Sequence, residues 1–194
     1  LEKHLKQTLG YKMDEIVLLQ QENTYKYIVM LETLSSKFIS WCSVVKANTD
    51  EDKKTVQREL QEYIREHPTQ TLDLTVIWAH YDMKKIYSKT FAYNRKLTSI
   101  TLPPTITVIE ESAFSHCTGL TSILIPDGVT TIEDGAFYMC LALKYITLSN
   151  SLVALGTRSF AHCRVVEAIT IPHSVKTMGT YVFGQCVSLK TIAL

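Results

Sequence analysis

Four blocks of this chain align without a gap at a spacing of 23 residues, and that period constrains the fold more than any other feature. They are LTSITLPPTITVIEESAFSHCTG (97–119), LTSILIPDGVTTIEDGAFYMCLA (120–142), LKYITLSNSLVALGTRSFAHCRV (143–165) and VEAITIPHSVKTMGTYVFGQCVS (166–188). A fifth begins at Leu189 and runs through LKTIAL. The shared template is L-x-x-I-x-L-P-x-x-V-x-x-I-x-x-x-A-F-x-x-C-x-x. One frame further back, LTVIWAHYDMKKIYSKTFAYNRK (74–96) puts Leu74, Ile77, Met83, Ile86 and Phe91 on the apolar positions and Asn94 in the Cys slot. Upstream of Leu74 the period is lost, so repeats start at 74, 97, 120, 143, 166 and 189.

Each position of the template has a physical task. Apolar residues at positions 1, 4 and 6 form a short strand with one buried face, and positions 3 and 5 then point outward. Pro at position 7 (Pro103, Pro126, Pro172) lacks the N–H that a continuing ladder would use, so it ends the strand. Positions 10 and 13 (Val129, Ile132) return the chain across the core. Ala-Phe at 17 and 18 (Ala136-Phe137) sets an aromatic beneath a short helical turn on the convex side. One such coil cannot bury its own apolar face, whereas stacked coils share a continuous core.

This pattern resembles the BspA-type, or Treponema-type, leucine-rich repeat, strongly over 97–194 and weakly over 74–96. Departures are local: Ser149 for Pro, Ser159 and Val182 for Ala, and Asn94 for Cys. The resemblance implies a solenoid with a short parallel β-strand in each 23-residue coil; with the α-helical segment that the upstream residues predict, the expected fold class is α+β. It also implies a protein-binding scaffold or, alternatively, a secreted or cell-surface adhesin, since relatives are commonly surface proteins of bacteria and parasitic protists.

Residues 1–73 read differently. Met13, Ile16, Gln20, Asn23, Tyr27, Met30 and Leu34 step by three and four, and Phe38, Trp41 and Val45 extend the stripe, which predicts a helix from near Tyr11 to near Lys46. Thr49-x-x-Asp52 resembles a capping box that opens a second helix, with Val56, Leu60, Tyr63 and Ile64 inward and Pro68 as its stop. Thr69–Asp73 then connects to the repeats. A solenoid needs a cap on its first coil, and this segment is placed to supply one; a coiled-coil or docking role in a larger assembly is the rival.

Chemistry is sparse. Cys117, Cys140, Cys163 and Cys186 recur at one template position, without the closely paired spacing of a zinc site. Asn94 in the same slot argues against a disulfide ladder, leaving structural thiols, which suit an intracellular setting. Cys42 beside Trp41 reads as core, because no His is brought near it by the sequence. His116 and His162 lie two coils apart, too far for one metal ion, and read as solvated. Glu110-Glu111 and Glu133-Asp134 read as a polar outer face. The seven glycines are scattered, so no phosphate loop exists. These features point to no catalysis, cofactor or metal.

A formal net charge of +1 gives no reason to expect nucleic acid, and no apolar run approaches the roughly 18 residues of a membrane span. What remains is surface. The outward strand positions are Val76 and Trp78, Ser99 and Thr101, Ser122 and Leu124, Tyr145 and Thr147, Ala168 and Thr170, and Thr191 and Ala193. This face is short-chained and nearly uncharged. The residues expected to hold a protein partner there are Trp78, Ser99, Thr101, Leu124, Tyr145, Thr147 and Thr170, unless the helical cap covers Trp78. Aromatic anchors dominate interface energetics, which singles out Tyr145.

Overall fold

A computed structural model of the chain describes residues 38, 39, 42 and 46–194. The helix expected over most of 11–46 therefore falls largely outside the described residues.

Helix α1 (Asp50–Glu66) begins as its sequence requires. The Thr49 hydroxyl accepts from the Asp52 N–H at 3.1 Å, and Asp52 Oδ2 accepts from the Thr49 N–H at 2.8 Å. Val56, Leu60, Tyr63 and Ile64 form its buried side, and they share one apolar core with the coils, running through to Cys186. With its apolar stripe covered by the solenoid, α1 has no face left for a coiled coil.

After α1 come strand β1 (Thr71–Asp73), the short helix α2 (Thr75–His80) and β2 (Lys85–Ile86). From there each coil contributes two strands. The first strands are β3 (Ser99–Thr101), β5 (Ser122–Leu124), β7 (Tyr145–Thr147), β9 (Ala168–Thr170) and β11 (Thr191–Ala193). They pair in parallel as β1–β3, β5–β7 and β9–β11. The second strands, β4 (Val108–Ile109), β6 (Thr131–Ile132), β8 (Ala154–Leu155) and β10 (Thr177–Met178), join β2 in a parallel five-stranded sheet. Registers step by one repeat, as in Ser122↔Tyr145 and Val108↔Thr131.

The first coil breaks this register. Thr71, not a residue of the 74–96 frame, stands opposite Ser99, while Lys85 pairs with Val108 on the regular spacing. Leu74–His80 fits the strand template and a helix equally well, because Leu74 and Ile77 are three apart in both. The helix forms, opened by Asp73 Oδ1 accepting from the Thr75 N–H at 2.8 Å. The strand is displaced upstream into the segment expected to be a plain connector.

The turn side, expected to hold a short helical turn, is a run of overlapping turns. In one coil Ala113, Ser115 and Cys117 donate to the carbonyls of Glu110, Ser112 and Phe114. The intervening N–H groups of Ser112, Phe114 and His116 reach across to the carbonyls of Asp134, Ala136 and Tyr138 in the next coil. This alternation needs left-handed residues at positions 16 and 20, and Ser112, Gly135 and Arg158, like His116, Met139 and His162, have φ of 54–62°. Only Gly135 adopts it without steric cost. The second hydrogen-bond ladder offsets that strain elsewhere.

Candidate functional site

The buried rings explain why position 18 is Phe. Phe91, Phe114, Phe137 and Phe160 stack through the core with centroids 5.0–5.1 Å apart and nearly parallel planes. Trp78 ends this stack, 6.4 Å from Phe91, and its Nε1–H donates to the Lys85 carbonyl at 2.9 Å. It is completely buried. The expectation that Trp78 presents a partner-binding surface is therefore incorrect: helix α2 turns the indole inward, where it closes the phenylalanine column.

The repeated thiols form a second internal column. Cys117, Cys140, Cys163 and Cys186 each donate to the carbonyl of a Phe in the preceding coil (Phe91, Phe114, Phe137, Phe160), at 3.0–3.5 Å. All five described cysteines are buried, and no disulfide joins any of them. Burial pushes the Cys117 thiol up to about 12 and raises Cys140, Cys163 and Cys186 as well, so none is a poised nucleophile. Asn94, in the same slot, leaves its Nδ2 without a partner among the described residues. Counting back as the cysteines do leads to Pro68, past the end of α1, where no coil supplies a Phe carbonyl.

The acidic pairs also do more than face water. Glu110 Oε2 accepts from the Ser88 N–H at 2.9 Å, and Glu133 Oε2 from the Glu111 N–H at 3.0 Å. Each position-14 carboxylate thus clasps the coil before it. Glu110 also meets Lys85 at 2.6 Å, which raises the lysine. In the next two coils the position is Gly156 and then Gly179. A Cβ on Gly156 would run into the backbone of Glu133 and Asp134.

Among the described residues no group of His, Cys, Asp or Glu is placed to hold a metal ion, and no helix is long and apolar enough to cross a membrane. On the face of the first strands, Ser99, Thr101, Thr147 and Thr170 are exposed. Leu124 and Tyr145 stand out at 66% and 63% exposure, as diagonal neighbours on the paired strands β5 and β7. The Lys144 ammonium lies 5.4 Å from the Tyr145 ring centroid and steadies it from one side.

Helix α1 packs on the edge of the leading coil. Gln57 Nε2 donates to the Ser88 carbonyl at 2.9 Å and Gln61 Nε2 to the Lys89 carbonyl at 2.7 Å. One coil along, the carbonyl equivalent to Ser88 belongs to Glu111, and it accepts from the Lys89 N–H. Gln57 therefore fills the place of a missing preceding coil.

Comparison with known proteins bears on the whole array. The family model for the BspA type leucine rich repeat region matches residues 84–194 as six copies. A T. pallidum leucine-rich repeat protein of known structure is 32% identical, with a TM-score of 0.56, covering 57% of this chain and 52% of its own. A leucine-rich repeat protein from Bacteroides ovatus is 34% identical, with a TM-score of 0.55, covering 59% of this chain and 30% of its own. The chain thus aligns with about half, or less, of the length of these relatives. No curated protein matches it.

Proposed function

The chain belongs to the BspA-type leucine-rich repeat family, and from that premise we propose that it is a non-catalytic module holding a protein partner on the face of its first strands. The observation that carries this reading is the exposure of Leu124 and Tyr145 side by side on an otherwise short-chained, nearly uncharged face. An apolar side chain and an aromatic ring with a polar tip supply contact area, and the surrounding Thr101, Thr147 and Thr170 hydroxyls supply hydrogen bonds without the desolvation cost of charge. Helix α1 is the cap that closes the leading coil, so residues 1–73 serve the array and residues 74–194 present the surface.

The double variant Tyr145→Ala/Leu124→Ser tests the binding face. Both side chains are mostly in water, so the melting temperature should move little. Truncating two anchors should weaken partner binding by about 2–4 kcal/mol, roughly 30- to 1,000-fold. Unchanged affinity, measured by titration calorimetry, would place the interface elsewhere.

A further inference from the structure

On the turn side, the third to fifth full coils enclose a cleft of ≈ 380 Å³ lined by Tyr138, Arg158, Ala161, His162, Tyr181 and Gly184, with Gln185 at its edge. Its shape follows from template position 19. Tyr138 occupies that position in one coil, and Ala161 and Gly184 occupy it in the next two. A ring beside two nearly bare positions makes one wall and a floor. Arg158 and Tyr181, both at position 16 with φ of 54° and 57°, form the opposite side, the guanidinium 5.9 Å from the Tyr181 centroid.

The histidine makes this more than a dent. His116 holds the same template position two coils earlier, and its Nδ1 is satisfied by Ser115 Oγ at 2.8 Å. His162 follows Ala161, which has no hydroxyl, and its Nδ1 is buried with no partner among the described residues. Tyr138 fixes the imidazole edge-on at 5.3 Å. An orphaned buried nitrogen is costly, and native folds retain few. Here the imidazole lines a cleft that also holds the Arg158 guanidinium, which only donates. No carboxylate lines the cleft, and the rings of Tyr138 and Tyr181 stand in its walls.

We propose that this cleft binds a small organic anion, an oxyanion group borne on a planar ring. The oxyanion bridges Arg158 and an Nδ1–H of His162, and the ring lies against Tyr138 and Tyr181. A charge-assisted, two-point contact in a cleft of this size is the usual economy of a small-ligand site.

Four probes titrated into the ¹⁵N-labelled full chain separate the contributions: phenyl phosphate, benzoate, inorganic phosphate and phenol. Phenyl phosphate, benzoate or both should shift the Gly184 amide saturably and bind at least ~10-fold tighter than inorganic phosphate or phenol, since each of these lacks one half of the contact. Arg158→Gln should weaken that binding by ~10-fold or more, and His162→Phe, which keeps a ring but no nitrogen, should also weaken it. Arg164→Gln, exposed and outside the cleft, should leave it unchanged. Absence of saturable shifts with both ring-borne anions, or equal affinity in Arg158→Gln, would overturn the proposal; unchanged melting temperatures confirm that the variants are folded.

Discussion

Phe137→Ala is expected to lower the stability to urea by about 3–5 kcal/mol, a large share of what a domain of this size possesses. Phe137 is fully buried between Phe114 and Phe160, each 5.0 Å away. Its neighbours cannot collapse into the vacated space, because Phe114 N–H is tied to the Ala136 carbonyl and Phe137 N–H to the Ser159 carbonyl. The cavity stays open, and cavity volume governs the cost. A solenoid's stability is also a sum over neighbouring coils, so damage in the middle should split the unfolding into two transitions. A loss below ~1 kcal/mol would mean the phenylalanine column is not what couples the coils. Leu60→Ala provides the companion test at the end of the array. Leu60 is fully buried in α1, and the expected loss is about 2–5 kcal/mol, carried into the melt of the coils themselves. Release of the helix with the coil transition unmoved would refute the cap.

The second large effect is alkaline. Folding holds Cys117, Cys140 and Cys163 away from water, so their pKa values rise above those of the unfolded chain. Above pH ~9 the unfolded state loses these protons and the folded state keeps them. Stability is thus fully present below that pH and falls as pH rises toward the folded value, about 12 for Cys117. Each such thiol removes about 1.4 kcal/mol per pH unit, so three together remove roughly 4 kcal/mol per unit. Tyr87, raised to about 12 by burial, and Lys85, raised by Glu110, act in the same direction at higher pH. Denaturation should therefore begin within about two units above pH 9. Cys140→Ala, although slightly less stable at pH 7, should show a visibly flatter decline. Stability that stays level to pH 11, or an unchanged slope in the variant, would contradict the buried-thiol account.

The repeat itself was plain in the sequence, because a period of 23 fixes which residues stack on which. Gapless recurrence of Phe and Cys marks two internal columns, and both are present. Thr49 and Asp52 were equally readable, since a capping box is a local hydrogen-bond pattern. The first coil was not, because Leu74 and Ile77 satisfy a strand and a helix alike; only the packing of Trp78 against Phe91 decides between them. The clasp of Glu110 on Ser88 was also hidden, because a carboxylate on an outer edge looks solvated until the backbone N–H of the neighbouring coil is placed beside it. The contrast between His116 and His162 lay in the preceding residue, Ser115 against Ala161, and acquires meaning only once the ring is known to be half-buried. Leu124 and Tyr145 were singled out by outward position alone, and the structure leaves both side chains in water.

The binding face can be tested by site-specific photocrosslinking at two tyrosines of equal exposure on different sides of the solenoid. Tyr145 lies on the first-strand face and Tyr93 on the turn side, each 63% exposed. With benzoylphenylalanine installed at one or the other, the account predicts a partner crosslink from position 145 and none from position 93. Crosslinking from 93 and not from 145 would contradict it, and would move the interface to the turn side.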